Sequence, residues 1–136
     1  PDKDGSLETT KKYAEKLGLN VNFTGGLPKE KWLKLSNDYD VFINTTHIDN
    51  TPISVMEAMA MGLPVISTNV GGIPFLLDNE KDSLLVNDND VQAMTNSIVR
   101  TIENQSETFI RVQIARKKIE SFDWDSVKKL WNNLLK

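Results

Sequence analysis

The stretch "DNTPISVMEAMAMGLPVIST", residues 49–68, carries the sharpest structural signals in the chain. Thr51 at a cap position and Pro52 in the first helical position predict where a helix begins. Gly62 and Pro64 predict that it ends just before the glycine. We therefore expect a short, mostly buried helix whose small and bulky apolar side chains are Ala58, Ala60, Ile53, Met56 and Met59.

Short apolar runs bounded by turn residues predict strands on both sides of this helix. They are residues 40–44, 64–68 and 83–86, and the first of them is predicted to be buried on both faces. Residues 21–24 alternate like one more strand. Four short strands separated by helical segments predict a mainly parallel sheet.

Helices are predicted before, between and after the strands. Ser6 is expected to cap a helix that runs to about Leu17, and Pro28 suits the first turn of the next one. Asp90, Ser106 and Asp125 are expected to cap three more, which end near Glu103, Glu120 and Leu135. Strands alternating with helices place the chain in the α/β class, with helices on both faces of the sheet.

Length and composition exclude several kinds of function. The 136 residues suffice for one compact domain or a piece of one. A net charge of −3 argues against nucleic acid as a partner. The absence of cysteine excludes a disulfide scaffold and fits the cytoplasm. No apolar run approaches the roughly 18 residues of a membrane span, and peripheral membrane contact through a region outside this chain is left open.

The helix after strand 40–44 begins where open parallel sheets bind ligands. Its first N–H groups, from Thr51 to Ser54, favour a phosphate. Asp49 precedes this end and Glu57 follows it, and carboxylates accept hydrogen bonds from vicinal hydroxyls. A nucleotide sugar has hydroxyls on both sides of its diphosphate and fits this arrangement. The alternative is that Glu57 is a surface helix residue and Asp49 a turn former.

The run "DVFINTTHIDNTPISVMEAMAMGLPVISTNVGGIPFLLDNEKDSLLV", residues 40–86, resembles the signature region of retaining glycosyltransferases with the GT-B fold, of the family 4 or group 1 type. Those proteins carry acid-x7-Glu, Ala-Met-Ala-x-Gly-x-Pro-Val, a Gly-Gly-Ile-Pro turn and a short Leu-Val strand. The resemblance extends through "PDKDGSLETTKKYAEKLGL" and "VNFTGGLPKEKW" to the final helices. It implies the Rossmann-like C-terminal half of a GT-B fold, without its first two strands.

The resemblance also implies roles for individual residues. Glu57 would hold the ribose hydroxyls of the donor, and Asp49 would position its sugar. The backbone of residues 50–54 would approach the sugar and phosphates, and the loop from Thr24 to Leu27 would lie near the base. Gly71 and Gly72 would leave backbone room or form a simple turn. His47 would touch the donor or be a loop residue. The implied binding residues are Asn50, Thr51, Pro52, Ile53, Ser54, Gly25, Gly26, Gly71, Gly72 and His47.

Two departures from the family pattern stand beside these roles. The first acid of the motif is usually Glu and here is the shorter Asp49, and Phe75 stands where a Glu commonly follows Gly-Gly-Ile-Pro.

In the implied reaction, the acceptor attacks on the face from which the leaving phosphate departs, so catalysis depends on positioning and on leaving-group stabilisation. The Arg and Lys that neutralise the diphosphate are implied in an upstream segment absent here.

We therefore predict that residues 1–136 are a single, N-terminally truncated donor-binding domain. Residues 122–136 form a terminal helix that crosses toward an absent N-terminal acceptor-binding domain. The implied donor is a nucleotide-diphosphate sugar, and no cofactor or metal is expected. "DND" at 88–90 and "DWD" at 123–125 precede predicted helices and are interpreted as caps. A cytoplasmic location is predicted, with the inner face of the membrane left open.

Two other functions are compatible with the same pattern. A nucleotide-sugar epimerase shares the GT-B architecture but lacks the acid-x7-Glu run. A non-catalytic module would bind a sugar nucleotide or a protein partner without turnover.

Overall fold

The computed structural model describes residues 5–135, so residues 1–4 and residue 136 of the predicted domain lie outside them. The chain divides into two compact units, Pro1–Lys34 and Leu35–Lys136. The single-domain organisation stays a prediction. No helix within residues 5–135 is long and apolar enough to cross a membrane.

The first unit contains helix α1, Ser6–Lys16, and helix α2, Lys29–Leu35, whose last residue belongs to the second unit. The prediction that Ser6 caps α1 is wrong. Gly5 takes the N-cap position with a left-handed φ of 77°, and Ser6 is already helical. Pro28 does open α2, because its carbonyl accepts the first hydrogen bonds of that helix.

The predicted strand at residues 21–24 is also wrong. Within residues 5–34 the structure contains no strand, and all four of these residues are exposed. A strand requires a hydrogen-bonded neighbour, so local alternation of apolar side chains does not suffice to form one.

The second unit contains a parallel sheet of three strands in the order β1-β2-β3. The strands are β1, Phe42–Asn44, β2, Val65–Thr68, and β3, Leu84–Val86. This arrangement confirms the predicted α/β class and three of the four predicted strands. Every residue of β2 is buried because it lies between two neighbours. β1 is at the edge of this sheet and Ile43 is 41% exposed, so the prediction that β1 is buried on both faces is wrong.

Helices pack against this sheet. α3 contacts β1 and β2, α5 contacts β2 and β3, and α6 contacts both helices. The helices of the unit are a 3-10 turn, Ser36–Asp38, and α3, Ile53–Met61, α4, Ile73–Leu76, α5, Val91–Glu103, α6, Gln105–Glu120, and α7, Trp124–Leu134. The predicted Gly-Gly-Ile-Pro turn thus leads into the short helix α4. The core consists of Val55, Ala58, Met59, Leu63, Val65, Ile73, Leu76, Leu77 and Ala115.

α3 ends where predicted but starts one residue later, at Ile53. Gly62 ends it with a left-handed φ of 79°. Pro52, and not Thr51, takes the N-cap position, and its carbonyl accepts the first two hydrogen bonds of the helix. Ile53 is 68% exposed, contrary to its predicted place among the buried bulk. Burial is confined to Val55, Ala58 and Met59.

The caps of the last three helices were predicted with mixed success. Asp90 caps α5, since its carboxylate accepts a hydrogen bond from the Ala93 N–H at 2.9 Å. α6 begins after Asn104, not Ser106, and α7 is capped by Asp123, not Asp125. Each wrong residue lies two positions from the real cap, because several neighbouring polar residues can cap and the backbone dihedral angles decide among them.

An ion-pair network connects α5, α6 and the segment before β3. Arg100 donates two hydrogen bonds to Glu80, at 2.8 and 2.7 Å, and also binds Glu107. The Arg100 guanidinium holds the pKa of both glutamates below the usual value. The glutamates in turn raise the pKa of Arg100. The network is therefore charged at neutral pH.

This network predicts a loss of stability in acid. A carboxyl group with a lowered folded pKa stabilises the fold above its unfolded pKa, and the stabilisation is lost as the pH falls through the folded pKa. We expect the free energy of unfolding, measured in urea, to decrease between about pH 6 and about pH 3. Arg100→Gln should reduce this pH dependence, whereas Arg116→Gln, at an exposed pair with Glu120, should retain it. Equal slopes in both variants would contradict the prediction.

Candidate functional site

The carboxyl ends of the three strands lie at one edge of the sheet, because the strands are parallel. Three loops follow these ends, at residues 45–52, 69–72 and 87–90. The first is the β1–α3 loop, which carries His47, Asp49 and Asn50. In open parallel sheets this edge is where ligands bind.

Side-chain hydrogen bonds hold the β1–α3 loop to the end of β2. The Thr68 hydroxyl donates to the Thr46 carbonyl at 2.6 Å, and the Asn44 amide donates to the Ser67 hydroxyl at 3.1 Å. The Thr46 hydroxyl donates to the Ile48 carbonyl at 3.0 Å. None of these contacts was predicted. Their only signal in the sequence is that polar residues end two apolar strands.

Gly71 and Gly72 pack directly on the backbone of this loop. The Gly72 N–H donates to the Asp49 carbonyl at 2.7 Å. A Cβ atom at Gly71 would lie 2.1 Å from the Asp49 oxygen, and one at Gly72 would lie 1.8 Å from the Asn50 oxygen. Gly71 also has a left-handed φ of 54°. No other residue fits at either position without moving the loop, so the pair does more than form a turn.

His47 connects the β1–α3 loop to the loop after β3. Its Nδ1 atom lies 2.6 Å from Oδ1 of Asp88, a residue 41 positions away that was not predicted to contact it. A cavity of about 360 Å³ opens beside this pair, and its lining includes Thr45, Thr68 and Met94. His47 and Asp88 thus lie together at the carboxyl edge of the sheet.

The two acids of the motif lie on either side of the N-terminus of α3. Asp49 is half-buried in the loop, and Glu57 is half-buried one turn into the helix. The N–H groups of Val55 and Met56 donate to the Pro52 carbonyl. The N–H groups of Ile53 and Ser54 precede these bonds and have no acceptor within the helix. Both residues are exposed, so an anion from solvent has access to this end.

Two candidate residues belong to the first unit. Gly25 and Gly26 lie in the segment between α1 and α2, Gly25 with a left-handed φ of 62°. A Cβ atom at either would have no other atom within 4 Å. Their place near a nucleotide base stays a prediction.

The acidic motifs at residues 88–90 and 123–125 have partners within the chain. Asp90 and Asp123 cap α5 and α7, and Asp125 pairs with Lys128. Within residues 5–135 there is no group of three or more His, Asp or Glu residues that could hold a metal ion. Each motif thus supplies a helix cap, the predicted Asp90 in the first and Asp123 instead of Asp125 in the second.

Comparison with protein families gives a match over most of the chain. The model of the family described as "Glycosyl transferases group 1" matches residues 2–104. Among curated proteins, the amylovoran biosynthesis glycosyltransferase AmsK of Erwinia amylovora is 29% identical over 107 residues. That alignment covers 74% of this chain and 26% of AmsK. The chain spans about a quarter of the length of the first curated relatives that it matches.

Solved structures share the fold. Sucrose-phosphate synthase from Thermosynechococcus elongatus superposes with a TM-score of 0.85 at 22% identity, covering 99% of this chain and 36% of that one. HepE of Anabaena, solved in complex with UDP-glucose, superposes with a TM-score of 0.83 at 22% identity, covering 97% of this chain and 37% of that one. The fold is that of the C-terminal domain of GT-B glycosyltransferases.

Proposed function

The chain belongs to the glycosyl transferases group 1 family, and from this we propose that it binds the nucleotide-diphosphate sugar donor of a retaining glycosyltransferase. The acceptor site would lie in a second domain of the whole protein. The reaction would transfer a hexose and need no cofactor beyond the donor itself.

One observation carries the proposal: the β1–α3 loop is held by its backbone against Gly71 and Gly72. This contact fixes Asp49 on one side of the N-terminus of α3, while Glu57 follows within the helix. The N–H groups of the exposed residues Ile53 and Ser54, which have no acceptor within the helix, suit the diphosphate. The two carboxylates suit hydroxyls, which donate to them without a metal.

The proposed roles follow from this order along the chain. Glu57 accepts hydrogen bonds from the ribose hydroxyls, and Asp49 accepts them from the donor sugar. The diphosphate would bind between them at the N-terminus of α3, because the positive end of the helix dipole attracts the anion. Asp49 is one methylene shorter than the usual Glu, and its loop is held in place by the contact with Gly71 and Gly72.

In the proposed retaining reaction, the acceptor oxygen attacks the anomeric carbon on the side from which the diphosphate leaves. The bond from that carbon to the diphosphate oxygen breaks, its electron pair stays with the diphosphate, and the acceptor proton passes to a diphosphate oxygen. The protein supplies positioning and stabilisation of the developing charge. Asp49 and Glu57 therefore position the donor and are not nucleophiles.

A substitution at Glu57 tests the proposal. In the protein at its natural length, we expect Glu57→Ala to weaken binding of the nucleotide sugar at least about tenfold, or about 1.4 kcal/mol. The loss arises because two ribose hydroxyls lose a charged acceptor. Calorimetric titration with UDP-, GDP- and ADP-glucose measures it, beginning with UDP-glucose because HepE was solved with that compound.

The matched control is Glu103→Ala, which removes an exposed glutamate at the far end of α5. We expect it to bind the donor like the wild-type protein. A wild-type protein that binds none of the three compounds would overturn the proposed function. Equal affinities of Glu57→Ala and Glu103→Ala would overturn the ribose role and favour a non-catalytic module.

A further inference from the structure

Asp88 has a defined place in the structure that the proposed function does not use. It follows β3, and its side chain is about one-third exposed. One carboxylate oxygen lies 2.6 Å from Nδ1 of His47, and the other accepts a hydrogen bond from the Asn89 amide at 3.0 Å. Asn89 has a left-handed φ of 61°. Both oxygens are therefore engaged, and the carboxylate is held in one orientation toward His47.

The contact determines which nitrogen of His47 carries a proton. A carboxylate only accepts hydrogen bonds, so the nitrogen 2.6 Å away must be Nδ1–H. In the neutral ring Nε2 is then the acceptor, and in the protonated ring it is a second donor. The pair thus leaves Nε2 as the nitrogen available for a hydrogen bond to another molecule.

The contact between His47 and Asp88 also supports the part of the β1–α3 loop between Thr46 and Asp49. On one side of His47, the Thr46 carbonyl is held by Thr68, and on the other, the Asp49 carbonyl is held by Gly72. Ile48, which lies between His47 and Asp49, is 86% exposed and contributes little packing. Within the described structure, the Asp88 pair supports the side chain at the middle of this segment.

We infer that Asp88 is a positioning residue, which fixes the ring of His47 with Nδ1–H toward the carboxylate and steadies the loop leading to Asp49. The expected effect on donor affinity rests on the proposed function. The orientation of the His47 ring does not depend on that function. In donor binding, Asp88 would act through His47 and Asp49 without contacting the nucleotide sugar itself.

The first experiment measures donor affinity in the natural-length protein with UDP-glucose as the probe. We expect Asp88→Ala to raise the Kd about fivefold, and Asp88→Asn to restore it to within about twofold, because an amide oxygen still accepts from Nδ1–H. Asn87→Ala is the matched control, a truncation one position away in the same loop, and should leave the Kd unchanged. In a His47→Gln background, Asp88→Ala should have no further effect.

The second experiment observes the ring itself by NMR, with the His47 signals identified by comparison with His47→Gln. We expect the Nδ1–H form in the wild-type protein and in Asp88→Asn, and a mixture of tautomers in Asp88→Ala. Amide hydrogen exchange in residues 45–50 should be faster in Asp88→Ala than in Asn87→Ala. Faster exchange with a changed tautomer supports the inference even if none of the three nucleotide sugars binds, a result that would overturn only the proposed function.

Two results would overturn the inference. One is an unchanged tautomer and unchanged exchange in Asp88→Ala. The other is a Kd effect of Asp88→Ala that persists in full in the His47→Gln background, since Asp88 would then act by a route that excludes His47.

Discussion

Gly71→Ala is expected to weaken donor binding at least about thirtyfold, or about 2 kcal/mol. The new Cβ atom would stand 2.1 Å from the Asp49 carbonyl oxygen, a distance that two non-bonded atoms do not adopt. The three nearest atoms all belong to the Asp49 backbone, so no flexible side chain can yield, and the loop carrying Asp49 has to move. The displaced loop would carry the sugar-binding carboxylate with it.

The same substitution should lower the free energy of unfolding by about 3 kcal/mol, the sum of strain at a left-handed φ and of overpacking. Gly62→Ala is the matched control. Gly62 also has a left-handed φ, 79°, but its Cβ atom would be 3.9 Å from a Val112 methyl group, an ordinary contact. Urea unfolding and calorimetric titration of both variants separate backbone strain from the clash.

We expect Gly62→Ala to lose about 1 to 2 kcal/mol of stability and to retain the donor affinity of the wild-type protein. If Gly71→Ala behaves like Gly62→Ala in both measurements, the contact between the glycine turn and the β1–α3 loop has no role in binding, and the main support for the proposed function is lost.

Lys118→Met is expected to destabilise the second unit by about 3 kcal/mol. The reason is its partner, Asp82, whose side chain is fully buried. The Lys118 ammonium donates to one Asp82 oxygen at 2.7 Å, and the Asp78 N–H donates to the other at 2.9 Å. Without the lysine, a buried carboxylate would keep a backbone partner but lose its counter-charge.

The pKa of Lys118 agrees with this geometry. Burial lowers it, and the carboxylates of Asp82 and Asp78 more than offset that effect, so the pKa lies above its ordinary value. The lysine is therefore charged at all physiological pH values. Its stabilisation is fully present below the unfolded pKa and is lost only as the pH rises through the raised folded pKa.

Urea unfolding measures the effect of Lys118→Met against Lys117→Met, an exposed neighbour on the same helix. The control should change stability by less than about 0.5 kcal/mol. Adding Asp82→Asn to Lys118→Met should restore part of the loss, because the neutral amide oxygen can still accept from the Asp78 N–H. A double variant no more stable than Lys118→Met would show that the lost charge pair is not the cause.

Several elements of the fold could be predicted because their signals are local. β2 and β3 are continuous apolar runs bounded by turn residues, and α3 ends at a glycine that adopts a left-handed φ. The order of strand, loop and helix was enough to locate Asp49 and Glu57 on either side of a helix start. The conformation of these elements is set by a few consecutive residues and depends little on contacts with distant parts of the chain.

Residues 21–24 show the limit of local signals. Their alternation is as regular as that of a strand, but pairing depends on a neighbour, which no residue in 5–34 provides. Ile53 and Ile43 were expected to be buried from their apolar character alone. Their exposure follows from positions at a helix end and on an edge strand.

The sequence by itself determined the α/β class, the end of α3 at Gly62 and the acid-x7-Glu spacing. Only the tertiary structure decided that Gly71 and Gly72 contact Asp49 and Asn50, that His47 meets Asp88, and that Asp82 is buried against Lys118. These partners lie more than 20 residues apart along the chain. Their distances depend on strand register and on helix packing, which arise only when the whole unit folds.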